Sequence, residues 1–432
     1  MRDPDARIEI LPDVVRRRLR SGMDGNSLFI RTDTANQLVE SGKVLPYWFE
    51  DSSTILSARL AFVSYPFEWS DAQLYCAAEL TLDISEGILA SGYELKDASA
   101  WNVIFRGDRA AFCDLLSFQR IAGPRWWAFG QFVRNFIFPL AISKHCGLAV
   151  SKSYSSYRDG PPASLVRRQL GLRRFLTRYW PLFFESSKSA RVDAAPRLAR
   201  GAHADLYEFC RFLLRGVRPA AIGSEWANYT ASRAHYSSQA LEFKASVIRN
   251  WISKISPKRV VDFGCNTGEY SIFSAEAGAS VISIDLDPQS IQKLFLSGRC
   301  GDRILPVVTD LADAVGGRGW RGTEFPSIFD RLRQAAGLVL MLALLHHLAI
   351  TEGIGFDQIS DLAADTTRGW LIVEVLAPSD PMVISLCALR NRSPSDFSLE
   401  RQMAALGRNF EVIESLEIPS TVRKLCLLRR GS

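Results

Sequence analysis

The chain has 432 residues, 47% hydrophobic and 23% charged, with a formal net charge of +6. That length exceeds one ordinary domain. The balance is that of a globular protein with a core, which excludes a disordered or fibrous chain. The charge is modest for the length, so composition by itself demands no nucleic-acid partner. The longest apolar run, Gly337 to Leu345, is far short of the roughly 20 residues of a membrane helix and reads as a buried strand.

Eight cysteines are scattered, with no CxxC pair and no zinc-ligand spacing. No metal site is expected, and free thiols suit a reducing compartment. The opening Met-Arg-Asp-Pro-Asp is followed by no apolar stretch of a secretory signal. The expectation is a soluble, cytoplasmic protein without a membrane span.

In chain order, residues 1–20 predict a polar lead-in and a basic helix carrying Arg16-Arg17-Arg18-Leu19-Arg20. Asp24-Gly25-Asn26 predicts a turn, with a short strand over Leu28 to Arg31. Residues 70–91 have helical spacing, with Ser70 as cap and Gly92 as stop. Asn102 to Phe105 and Ala111 to Leu115 flank Arg106-Gly107-Asp108, a predicted hairpin. Trp126 to Cys146 predicts a buried helix broken near Pro139. Arginines cluster between Arg167 and Arg178. A linker-like boundary falls between about 186 and 205. The expected organisation is a lead-in (1–20), an α+β domain (21–160), a helical, basic connector (161–240) and an α/β domain (241–432).

In the last of these, seven strands are predicted: Val260–Phe263, Val281–Ile284, Ile304–Val308, Leu338–Leu342, Leu371–Val375, Phe410–Glu414 and Lys424–Leu428. Helix-length segments separate the first five, which predicts a parallel sheet; the last two are placed as an antiparallel edge pair. The first strand runs into Asp262-Phe263-Gly264-Cys265-Asn266-Thr267-Gly268 and then a helix. Glycine allows a ligand close to the backbone, and such a turn opens the crevice at the carboxyl ends of a doubly wound sheet. Asp285 ends the next strand, where a carboxylate accepts ribose hydroxyls; Asp310 ends the third, where one holds an adenine amino group. GxGxxG and GxxxxGK[ST] are both absent. Three acidic strand ends in order form the pattern of class I methyltransferases. The fourth strand lacks [DN]PP[FY], which counts against amino methylation of DNA bases. It runs through Leu342 into His346 and His347, either of which can take a proton from an acceptor hydroxyl. Glu374 ends the fifth strand as a further candidate.

The chain resembles a family of two-part class I methyltransferases that includes the host-specific nodulation protein of root-nodulating bacteria. The resemblance rests on Tyr65-Pro66-Phe67-Glu68-Trp69-Ser70, Leu95-Lys96-Asp97-Ala98-Ser99-Ala100-Trp101-Asn102 and Cys113-Asp114-Leu115-Leu116-Ser117-Phe118. It continues in Trp226-Ala227-Asn228-Tyr229, His235-Tyr236-Ser237, the glycine turn and the strand ending in His346-His347. It implies a Rossmann-like domain that binds S-adenosyl-L-methionine. It further implies a small-molecule or glycan acceptor, with a role in making a host-recognition signal such as a lipo-chitooligosaccharide. Trp226, Tyr229, His235 and Tyr236 are the acceptor candidates. Gly337 stands where similar proteins carry Asp. The front half also looks like a degenerate kinase lobe, since Asp97, Asn102 and Asp114 follow the order of a catalytic Asp, a metal-binding Asn and a metal-binding Asp. No Gly-rich loop or strand Lys precedes them, so they are expected to brace a loop or bind substrate. Two other readings remain: a nucleic-acid methyltransferase using the arginines of 167–178, and a non-catalytic nucleotide-binding module.

Overall fold

The computed structural model describes residues 5–20, 28–179, 182, 202–220 and 237–431. The chain divides into two compact units, Met1–Ala220 and Ala221–Ser432.

In the first unit, β1 (Ala6–Ile10) and β2 (Val14–Leu19) form an antiparallel hairpin. The basic run is therefore a strand and not the expected helix. Pro12-Asp13 makes the turn, with the Leu11 amide donating to the Val14 carbonyl at 2.9 Å. Strand alternation then sorts the arginines. Arg16 meets Glu50 at 3.2 Å, while Arg17 donates to Ser57 Oγ at 2.8 Å and to the Cys113 carbonyl at 3.1 Å. Leu28 to Arg31 is also corrected: Phe29–Arg31 is a 3₁₀ turn leading into α1 (Asp33–Glu40), which Thr32 caps. β3 (Tyr47–Phe49) and β4 (Thr54–Ala58) complete an antiparallel sheet of order β1-β2-β4-β3.

Helix α2 (Asp71–Leu89) follows from a capping box: Gln73 N donates to Ser70 Oγ, and Ser70 N to Gln73 Oε1. It buries Leu74, Leu82, Ile84 and Ile88 completely. Beyond β5 (Tyr93–Leu95), the predicted hairpin is β6 (Val103–Arg106) and β7 (Arg109–Phe112), and β8 (Phe118–Arg120) returns to pair with β5. Before Pro139 the buried helix slips into a π turn, Val133–Ile137, and resumes as α3 (Phe138–Cys146). Further helices of this unit include α4 (Ala163–Leu170) and α5 (His203–Gly216).

In the second unit, α6 (Ser238–Ile255) precedes β9 (Arg259–Phe263). Then come α7 (Glu269–Glu276), β10 (Ser280–Asp285), α8 (Pro288–Leu296), β11 (Ile304–Val308), β12 (Ala336–Met341), α9 (Phe356–Thr366) and β13 (Thr367–Leu376). The last strands are β14 (Phe410–Glu417) and β15 (Arg423–Arg430). The seven-stranded sheet has the order β11-β10-β9-β12-β13-β15-β14. The pairs β10–β11, β9–β10, β9–β12 and β12–β13 are parallel, and β15 runs antiparallel between β13 and β14. All seven predicted strands are present. Those inside the sheet read as continuous apolar runs because both faces are covered. Gly337 falls in a register shift between Ala336 and Leu338, so the departure there adjusts the edge of β12 and leaves its carboxyl end intact. The chain winds outward in both directions from β9, which opens a crevice at the carboxyl ends of β9 and β12.

Candidate functional site

At that crevice lies a cavity of about 380 Å³ lined by Asp262, Gly264, Asn266, Asp285, Asp310, Leu342, His346 and His347, with Lys244, Tyr270 and Thr351. Sequence-predicted residues from four strands and their following loops thus meet on one cavity.

The turn after β9 is built by backbone geometry. Gly264, Asn266 and Gly268 have φ of 71°, 51° and 82°, a region open to glycine and tolerated by asparagine. A Cβ on Gly268 would stand 2.5 Å from Leu294 Cδ1. Gly268 is absent from the cavity lining; it lets α7 start against α8. Asp285 holds the turn from the neighbouring strand. Its Oδ2 accepts from the Asn266 amide at 2.8 Å and its Oδ1 from the Asp287 amide at 2.9 Å. Each carboxylate oxygen keeps a lone pair for a ligand hydroxyl. Burial raises the Asp285 carboxyl above its ordinary pKa. Asp262, 2% exposed, is pushed up to about 7, chiefly by burial and further by Asp285; its bond from Ser271 Oγ at 2.6 Å opposes this. Asp310 Oδ1 accepts from the Ala312 amide at 2.9 Å.

Past β12, Ala343 is held at φ 52°. A left-handed alanine is strained, and such strain gathers at functional sites. The His346 and His347 rings pack at a tilt, with centroids 4.2 Å apart, at the start of a π turn, His347–Thr351. Burial, reinforced by His347 and Arg423, holds the His346 imidazole well below its ordinary pKa. His347 is lowered to about 4 by burial and Arg423. Both rings are neutral at pH 7. His346 Nδ1 and Thr351 Oγ1 are buried without a hydrogen-bond partner, a costly state that a ligand would relieve.

Glu374 does not line the cavity. It is fully buried behind it, 2.5 Å from Lys244 Nζ and 3.1 Å from Arg423 Nη1, and Arg423 also meets Asp380 at 2.7 Å. Lys244 is the one Lys or Arg among the described residues of the lining, and Glu374 behind the cavity matches its charge. Lys244, Tyr270, Thr351 and Ala343 are not singled out as site residues by the sequence, although Tyr270 and Ala343 stand inside the motif strings around the glycine turn and His346-His347. Trp226, Tyr229, His235 and Tyr236 lie outside the described residues.

Asp97, Asn102 and Asp114 belong to the first unit. There Asn102 Nδ2 donates to the Asp97 carbonyl at 3.2 Å, Asp97 Oδ1 accepts from the Ser99 amide at 3.0 Å, and Asp114 Oδ1 accepts from the Leu116 amide at 3.2 Å. Among the described residues no group of three or more His, Cys, Asp or Glu side chains is arranged to hold a metal ion. All eight cysteines are free. No helix of the described residues is long and apolar enough to cross a membrane.

The strand order, the glycine turn and the acidic strand ends together define a class I methyltransferase domain. Residues 235–415 match the family model described as "Methyltransferase domain". Over 389 residues the chain is 28% identical to "Nodulation protein NoeA" of Rhizobium meliloti (strain 1021), covering 85% of this chain and 80% of that protein. Among solved structures, magnesium protoporphyrin IX methyltransferase (ChlM) from Synechocystis PCC 6803 with bound SAH is 18% identical, covering 48% of this chain and 97% of that one at a TM-score of 0.35. N-methyltransferase NodS from Bradyrhizobium japonicum WM9 is 12% identical, covering 45% of this chain and 99% of that one at a TM-score of 0.34.

Proposed function

We propose that the chain is an S-adenosylmethionine-dependent methyltransferase acting on a small molecule or a glycan, including glycolipids, in the making of a host-specific nodulation signal. The observation that carries the cofactor is the clasp between Asp285 and Asn266 on a glycine turn, at the carboxyl end of β9 and beside Asp262 and Asp310. This donor set fits the cofactor. Asp285 would accept from the ribose hydroxyls, Asp310 would face the adenine amino group, and Asp262 would answer the cationic methionine end. Gly264 and the Asn266 backbone leave room for close approach, and Leu342 closes the apolar side. When bound, S-adenosylmethionine supplies a methyl group on a sulfonium centre.

Methyl transfer to a hydroxyl releases a proton. A neutral His346, which lines the cavity and keeps a buried Nδ1 without a partner, is the candidate to accept it. The imidazole gains positive charge as the sulfonium loses it, so the total charge in the cavity stays constant through the step. His347 packs against His346 and Glu374 fixes Lys244; neither needs to touch the acceptor. Among the described residues the lining offers no unmatched cation for a phosphate, which favours an uncharged acceptor over a nucleic acid. The name of the nodulation relative supports the physiological setting. Asp97, Asn102 and Asp114 are read as loop braces, because each bonds to its neighbouring loop backbone or side chain: Asp97 to Ser99 and Asn102, and Asp114 to Leu116.

Purified protein with methyl-labelled S-adenosylmethionine, incubated with the glycolipid fraction of nodulating bacteria, tests the acceptor class. Label in a glycolipid that disappears with Asp285→Ala supports it. Label confined to RNA contradicts it.

A further inference from the structure

The arginine-rich segment of the first unit plays no part in the cavity. Helix α4 runs directly into a 3₁₀ segment, Gly171–Leu176. Leu176 is 91% exposed and Leu172 is 80% exposed, the two highest values for large apolar side chains among the described residues. They are not at a loose end. Val166 and Leu170 before them, and Thr177 and Tyr179 after them, are buried, so the fold holds the two leucines out in water. Scattered single apolar side chains are ordinary on a surface; two at full stretch within five residues, anchored on both sides, are not.

The charge around them is one-sided. From Gly160 to Phe184 the sequence holds five arginines and no Asp or Glu. Arg167, Arg168 and Arg173 are exposed. Exposed aliphatic tips flanked in sequence by exposed arginines match the boundary of an anionic bilayer. Leucines enter the headgroup and acyl boundary there, and arginines stay at the level of the phosphates. A second copy of the chain would set arginine against arginine. A single-stranded nucleic acid calls for aromatic platforms; the segment exposes Phe175 at 49%, well below Leu172 and Leu176.

We propose that Gly171–Leu176 docks this protein onto an anionic lipid surface, with Leu172 and Leu176 inserted and Arg167, Arg168 and Arg173 on the headgroup phosphates. This inference stands independently of the methyl-transfer reading, since it uses no residue of the cavity.

The test is co-sedimentation of the full chain with two kinds of vesicle, phosphatidylglycerol mixed into phosphatidylcholine and phosphatidylcholine alone. Partition into the anionic vesicles should be stronger by about tenfold or more, and should fall with added salt. Leu172→Asp together with Leu176→Asp should abolish it. Arg167→Ala and Arg168→Ala should each weaken it about fivefold. All these side chains are exposed, so each variant should melt with the wild type, which separates lost docking from unfolding. The proposal is overturned if the wild type does not sediment with anionic vesicles, or if the double leucine variant sediments unchanged. Single-stranded RNA binding that needs the arginines but not the leucines would also overturn it and assign the segment to nucleic acid.

Discussion

Lys244 and Glu374 form an ion pair of 2.5 Å with side chains 5% and 0% exposed, and Arg423 meets the same carboxylate from the other side. Removing the shared anion strands the buried Lys244 and leaves Arg423 with Asp380 alone. Glu374→Ala should therefore cost about 3–5 kcal/mol in thermal or denaturant unfolding. Lys244→Met should cost clearly less, because Arg423 still compensates Glu374. Equal losses in the two variants would mean that Arg423 does not share the carboxylate.

His346 keeps a buried ring nitrogen without a partner, which is a stability cost retained at a site of function. His346→Phe should raise stability by about 1 kcal/mol. Once an acceptor is in hand, the same variant should lower kcat at least about 100-fold. A variant that loses stability and keeps activity would make His346 a packing residue.

Asp262 and His347 give opposite pH signatures. The Asp262 carboxyl is raised to about 7 in the fold, so its contribution to stability is full at low pH and lost as pH rises from its ordinary range through 7. His347 is lowered to about 4, so its contribution is full above its ordinary value and lost as pH falls toward 4. The two oppose each other across mildly acidic pH. Asp262→Asn should gain stability over the wild type progressively as pH rises toward 7, followed by urea unfolding across pH. A cationic cofactor beside Asp262 should also expel its proton, so the heat of binding at pH 7 should vary with the ionisation enthalpy of the buffer. A heat independent of buffer would separate Asp262 from the cofactor.

Gly268→Ala places a Cβ 2.5 Å from Leu294 Cδ1 at φ 82°. It should destabilise by about 1–3 kcal/mol. Leu294→Ala added to it should fail to restore the wild-type melting temperature, because the backbone strain remains and a cavity is opened. Full restoration would mean that only the side-chain clash mattered.

The sheet was legible because strands buried on both faces read as unbroken apolar runs, and each acidic strand end stood one element after the last. Asp262, Asp285 and Asp310 could be placed on one crevice from spacing and the doubly wound order. The first hairpin was not legible. Arg16, Arg17 and Arg18 favour a helix locally, and the strand reading turns on the Pro12-Asp13 turn and on pairing with β4 some 40 residues away, as between Arg17 and Ser57. The left-handed Ala343 and the π turn at His347 leave no trace in residue type, because tertiary packing imposes them. The position of Glu374 behind the cavity depended on Arg423, which only the folded sheet brings near.

The most direct test is calorimetry of S-adenosylmethionine on the wild type and on Asp285→Ala. The account predicts binding to the wild type and a loss of about 1.5–3 kcal/mol in the variant, roughly 10- to 150-fold in affinity. A folded wild type that binds no cofactor, or a variant that binds as the wild type does, would contradict it.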